Sequence, residues 1–229
     1  MREIVFDTET TGLSARDGDR LVEIGCIELV NRIETGRTYH CYFNPERSMP
    51  QEAFAVHGLS ETFLSDKPKF ATKADELLEF LEDSPLVAHN AGFDFSFLNA
   101  ELEACGRAAI SRDRMVDTVQ MARQLHPGAK HSLDALCNRY GIDRSHRVKH
   151  GALLDAELLS QLYIEMTGGR QIGLTLAETP KPAEKVERVM VETERRFIEP
   201  RPHHPSDEES ARHAEFLKSL TNPLWLQHS

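Results

Sequence analysis

The sequence has little of what marks a membrane, secreted or surface-charge-driven protein. No apolar run approaches the roughly 20 residues of a membrane span, and the chain enters a strand pattern at Arg2 with no leader pattern before it, so a soluble, cytoplasmic protein is expected. Only four cysteines occur, Cys26, Cys41, Cys105 and Cys137, scattered without metal-ligand spacing. They read as reduced structural thiols and exclude a disulfide framework or a zinc module. A basic surplus is missing too: 27 Lys and Arg stand against 37 Asp and Glu, a formal charge of −10. Residues 170–229 hold 9 basic and 10 acidic side chains, leaving 18 and 27 for residues 1–169. That is the wrong sign for gripping nucleic acid by surface charge alone, so any such activity needs metal ions and a partner.

What is there divides the chain. At 229 residues it holds one domain with a full core and something extra. The runs "RLVEIGCIELV" and "RTYHCYFNP" alternate and are β-rich, separated by a polar turn ending in Gly36, which predicts antiparallel strands following a first strand at "EIVFDTET". "ATKADELLEFLED" has helical spacing, "LVAHN" reads as a short buried strand, and "FDFSFLNAELEACG" as a helix stopped at Gly106. "RMVDT" fits a last short strand, with helices expected at about 118–126, 131–140 and 152–166. Three antiparallel strands followed by alternating strands and helices predict an α/β fold: a mixed, five-stranded sheet with helices on both faces. The expected domain spans residues 1–169. Six of the eleven prolines lie in the last 60 residues and no glycine follows Gly173, so residues 177–205 are expected to form a Pro- and charge-rich flexible linker within an extended C-terminal tail.

The stretch "IVFDTETTGL" ends a buried strand with two carboxylates two residues apart. Asp7 and Glu9 therefore project from one face, and burying like charges unpaired costs several kcal/mol. Either the strand end is solvated or something positive lies between them. Asp94, just past "LVAHN", and Asp155 in "HGALLDAELLSQLY" sit where a sheet edge presents residues. Four carboxylates at one place require cations, and hard oxygen ligands suit magnesium or manganese. Two such ions about 4 Å apart activate a water and stabilise the leaving oxygen of a phosphodiester. His150 lies five residues before Asp155, about 140° away on an ideal helix. The two cannot share a helical face, which puts His150 on the loop before Gly151, positioned to accept a proton from the attacking water.

"DTETTG", "HNAGFD" and "HGALLDA", in this order and spacing, resemble the three motifs of the DEDDh branch of the DnaQ-like 3′→5′ exonucleases, whose fold is ribonuclease H-like. The resemblance covers about residues 2–168 and includes "AFAVHGLS" and "HSLDALCNRYGID". The tyrosine branch places Tyr where Gly151 stands, whereas His150 sits where the histidine branch needs it. The resemblance implies Asp7, Glu9, Asp94 and Asp155 as ligands of two Mg2+ (Mn2+ as substitute), His150 as general base, and a DNA 3′ terminus as substrate. It also implies that Thr10, Thr11 and Gly12 lie near the terminal sugar and that His57 contacts the terminal nucleotide, against a structural turn histidine. Phe93 either stacks on a base or packs in the core. Arg147, in the basic run "RYGIDRSHRVKHG", is expected on phosphate. Asp117 is explained as a helix N-cap, and Asp134 as a first-turn residue complementing the helix dipole.

The tail carries two more expectations. Gln171, Leu174 and Leu176, in residues 170–176, match the Q-x-x-L-x-L/F peptide that docks on the bacterial sliding clamp. In residues 206–229, Ser206 and Glu209 fit a capping box opening a helix whose Phe216, Leu217 and Leu220, with Leu224 and Trp225 beyond, need a partner to cover them. The resemblance implies the polymerase III alpha subunit. Two alternatives use the same residues: an RNA-trimming exonuclease of the same branch, and a noncatalytic scaffold. The tail argues against the first and the complete acidic set against the second.

Overall fold

The structure is a computed structural model of the chain and describes residues 1–145, 149–169 and 204–220. Arg147, Gln171, Leu174, Leu176, Leu224 and Trp225, and most of the expected linker, lie outside these residues. Two units divide the chain, Met1–Leu176 and Ala177–Ser229. In chain order the elements are β1 (Arg2–Thr10), β2 (Leu21–Val30), β3 (Ile33–Tyr42), α1 (Gln51–His57), α2 (Glu61–Leu64), α3 (Phe70–Leu81), β4 (Leu86–Ala88), α4 (Ala91–Ala104), β5 (Met115–Asp117), α5 (Thr118–Leu125), α6 (Leu133–Tyr140), α7 (Ala152–Met166) and α8 (Asp207–Lys218).

The five strands form one mixed sheet in the order β3-β2-β1-β4-β5. β1 pairs antiparallel with β2 and parallel with β4, and β5 extends β4 in parallel. The side-chain period of two sorts β1 between two cores. Ile4 and Phe6 join a cluster with Ile24, Phe95, Leu98 and Leu77 from β2, α4 and α3. Val5 joins Ile27, Leu136, Ala156, Leu159 and Leu162 from β2, α6 and α7. Helices thus cover both faces, and β1 is the central element whose C-terminal end emerges between the two layers.

The β2–β3 connection differs from expectation. The turn is confined to Asn31 and Arg32, both with positive φ (52° and 63°), and does not extend to Gly36. Two consecutive left-handed residues match the right-handed twist of a hairpin. Gly36 (φ 82°) lies inside β3, where the pairing jumps from Leu29↔Glu34 to Ile27↔Thr38. It serves a bulge. The short helices α1 and α2 were not expected; α2 is capped by Ser60, whose side chain accepts from the Phe63 amide. In the second unit, Ser206 and Glu209 form the capping box that opens α8. Phe216 in α8 and Leu220 just past it are 58% and 37% exposed among the described residues, and Leu217 is half-buried.

Candidate active site

The site grows from the C-terminal end of β1. Asp7 and Glu9 share the face of Val5, which α7 covers, while Thr8 turns to the opposite layer and donates a 2.6 Å hydrogen bond to Asp94 Oδ1. Asp94 occupies the first turn of α4 and is 3% exposed. Burial pushes its carboxyl up to about 7; the Thr8 hydrogen bond opposes the shift and the charge of Asp117 adds to it.

α7 delivers the other two groups. Gly151, in extended conformation (φ −159°), precedes the helix, and Asp155 lies buried in its first turn. His150 sits on the loop before it, half exposed, with Nδ1 3.2 Å from Asp155 Oδ2. One ligand atom each from Glu9, His150 and Asp155 lie within 4.8 Å of one another. Buried carboxylates converging with an imidazole at this distance are a donor set that fits a divalent cation. Asp94 reaches the same strand from the other layer through Thr8.

α7 comes this close to β1 and β2 because of a residue that the sequence reading leaves unassigned. Gly25 is the partner of Asp7 across the β1–β2 pair. A Cβ built on it would lie 2.3 Å from both the Leu153 Cα and N and 2.5 Å from the Ala152 carbonyl carbon. Only the absence of a side chain lets the first turn of α7 rest on the sheet there. A lone glycine in the β-rich run "VEIGCIEL" was the readable signal.

The turn after β1 is held by its own side chains. Thr10 Oγ1 donates to the Gly12 carbonyl at 2.6 Å. Thr11 Oγ1 accepts from the Arg20 amide at 2.9 Å and donates to Asp19 Oδ1 at 3.3 Å. A Cβ on Gly12 would fall 2.3 Å from Asp19 Oδ2. Arg20 then grips Glu101 of α4 with two bonds of 2.6 and 2.8 Å. The hydroxyls of Thr10 and Thr11 are therefore engaged in shaping this turn. His57 ends α1 buried, its Nδ1 accepting from the Leu59 amide at 3.0 Å. Burial lowers its pKa, opposed by Glu23 and the Thr10 backbone, and an Nδ1 that accepts leaves the ring proton on Nε2. Phe93 is half-buried, 4.9 Å from the Phe97 ring and against the core. Asp117 caps α5 through the Val119 amide. Asp134 lies in the first turn of α6 and also pairs with Arg144 at 2.9 Å.

A mixed five-stranded sheet covered on both faces, with acidic residues and a histidine meeting at the end of its central strand, is the architecture of an exonuclease domain. The family model described as Exonuclease matches residues 4–163, and the chain belongs to that family. More particularly, it is 48% identical over 225 residues to the DNA polymerase III subunit epsilon of Rickettsia felis, covering 96% of this chain and 97% of that one. Two solved structures share the fold. One is the nuclease domain of 3′hExo, a DEDDh family member, bound to rAMP (14% identity, TM-score 0.63, 72% of this chain and 91% of that one). The other is the zinc ion bound form of an E. coli ExoI–ssDNA complex (18% identity, TM-score 0.62, 74% and 41%). Among the described residues no helix is long and apolar enough to cross a membrane.

Proposed function

We propose that the chain is the proofreading 3′→5′ exonuclease subunit of a bacterial DNA polymerase III, removing mispaired 3′-terminal nucleotides as 5′-monophosphates. The observation that carries this reading is the meeting of Glu9, Asp155 and His150 within 4.8 Å in a chain 48% identical to a subunit epsilon over nearly its whole length.

Asp7, Glu9, Asp94 and Asp155 would hold two divalent cations, Mg2+ or in its place Mn2+. Bound there, the cations would lower the pKa of water and neutralise charge on the leaving oxygen. His150, beside Asp155, takes the proton of the attacking water as its oxygen bonds to phosphorus and the P–O3′ bond breaks. The 3′ oxygen leaves with the penultimate nucleotide and the terminal nucleotide departs with its 5′ phosphate. His57, with Nε2–H as donor, and the Thr10-Thr11-Gly12 turn position the terminal nucleotide, Phe93 meets its base, and Arg147 meets phosphate. A frayed mismatched end is easier to unpair, which provides selectivity without reading sequence.

The second part of the reading concerns attachment. Residues 1–169 are acidic, so the affinity that charge does not provide comes from tethering. Gln171, Leu174 and Leu176 dock on the sliding clamp; Phe216, Leu217, Leu220, Leu224 and Trp225 dock on the polymerase III alpha subunit; residues 177–205 link them. A flexible linker of about 30 residues spans roughly 30 Å and gives about millimolar effective concentration at the primer terminus. The test measures mononucleotide release from 3′-mismatched DNA and from RNA of matched length, with Mg2+ or EDTA. Metal-dependent digestion of DNA, lost in Asp7→Ala, is expected; preferential digestion of RNA would overturn the proofreading reading. Deleting residues 170–229 should abolish clamp and alpha-subunit binding and leave digestion intact, and loss of both would refute the two-part division.

A further inference from the structure

The capping role of Asp117 accounts for only one of its two hydrogen bonds. Its Oδ1 accepts from the Val119 amide at 2.9 Å, which is the N-cap of α5. The same oxygen also accepts from the Asn90 amide at 3.2 Å. Asn90 is the residue immediately before α4 and has a left-handed backbone (φ 69°, ψ 49°) with no side-chain cap of its own. Asparagine tolerates this backbone better than most non-glycine residues, and here its surroundings hold it as well. The rest of the hold comes from the same place. β5 ends beside β4 with Asp117 opposite Ala88, Thr118 Oγ1 donates to the Ala88 carbonyl at 3.1 Å, and His89 Nδ1 lies 2.9 Å from that hydroxyl. The two-residue turn His89–Asn90 is thus stitched to Asp117–Thr118.

We propose that Asp117 is a positioning residue of the nuclease site: by fixing the Asn90 amide it sets the direction in which α4 leaves the sheet, and so where Asp94, one turn later, presents its carboxylate. The Asn90 carbonyl accepts from the Phe93 amide at 2.9 Å, so the first turn of α4 is built on Asn90 and moves with it. Asp94 is also tied to β1 through Thr8, and the two anchors together give its carboxylate a single placement. This inference rests on the metal-dependent nuclease reading given above.

Two variants separate positioning from capping. Asp117→Ser keeps a good N-cap oxygen for Val119 on a side chain too short to reach Asn90. Asp117→Asn keeps an acceptor for both amides. Asp117→Ser should weaken Mn2+ binding, followed by calorimetry, about 10- to 100-fold, the range for groups that orient metal ligands. It should lower kcat on 3′-mismatched DNA by about as much, with KM within threefold. In the metal-free protein, amide hydrogen exchange should quicken at residues 90–94 and stay unchanged in α5. Asp117→Asn should restore most of all three. Unchanged exchange at residues 90–94 in Asp117→Ser, or equal losses in both variants that follow their melting temperatures, overturns the proposal. Failure of the wild-type protein to bind Mn2+ or digest DNA would instead refute the nuclease reading, and the exchange comparison would still judge the positioning claim.

Discussion

Replacing Gly25 with alanine puts a methyl group where the backbone of α7 already is. The new carbon would start 2.3 Å from Leu153 Cα and N, and carbon contacts relax only at about 3.5–4.0 Å. Neither neighbour is the movable end of a side chain, so sheet and helix must separate by more than about 1 Å. Overpacking of this kind costs about 1–3 kcal/mol, which for a domain of this size lowers the melting temperature by roughly 2–12 °C. The displaced element is the first turn of α7, which carries Asp155 and is separated from His150 only by Gly151. A misplacement of about 1 Å costs on the order of 100-fold in rate. Gly25→Ala should therefore lose about two orders of magnitude in kcat on 3′-mismatched DNA while remaining folded below its melting point. Gly92→Ala is the control: a Cβ at Gly92, in α4, meets nothing within 4 Å, so that variant should hold or raise the melting temperature. If Gly25→Ala kept kcat within threefold of wild type, the claim that this glycine sets the height of α7 over the sheet would be wrong.

Three further outcomes are expected. The folded pKa of Asp94, about 7, lies above the unfolded value near 3.9, so the stabilisation from its protonated form is complete below about pH 4 and is lost as pH rises through 7. Melting temperature in EDTA should decline across that window, Mg2+ should flatten the decline, and Asp94→Asn should remove it; a flat metal-free wild-type profile refutes this. His150→Ala should lower kcat about 10²- to 10⁴-fold, the usual contribution of a general base, with KM for DNA little changed; wild-type kcat would exclude the role. Arg147→Ala should weaken DNA binding and reduce the slope of log K against log salt by about 1, and an unchanged slope would remove Arg147 from phosphate.

The sequence made local order legible and left distant approach unread. Asp7 and Glu9 share a face because a strand alternates, and α7 spans Ala152–Met166 as its spacing predicts. The turn expected to end at Gly36 is shorter than that, because glycine marks left-handed backbone without saying whether it serves a turn or a bulge; Asn31 and Arg32 make the turn and β3 already begins at Ile33. α1 and α2, with seven and four residues, are too short to build a periodicity that rises above the surrounding loop. Gly25 and Leu153 are brought together only by the fold, and no local period reports that contact. Asp117 shows the same limit: its N-cap was legible from the neighbouring α5, whereas its bond to Asn90 depends on β4 and β5 lying side by side.

The negative charge of residues 1–169 looks like a handicap for acting on DNA, yet part of it is gathered at the end of β1. Glu23 is the cross-strand partner of Glu9, and it is buried. Like charges facing each other across an antiparallel pair are destabilising, and stability alone would favour a neutral residue there. The strands keep the acid and pair it outward: His40 Nε2 lies 2.7 Å from Glu23 Oε1, and burial with Glu23 pushes up the Tyr42 hydroxyl pKa. Glu9, on the inner side, instead meets His150 and Asp155. A concentrated negative field at the end of β1 favours small divalent cations over the phosphate backbone; on the proposed reading two such cations would neutralise the four carboxylates, and DNA would then meet a site that no longer repels it. The acidity of this unit and a phosphodiester substrate are compatible because charge at the centre, and not over the surface, decides which ion binds.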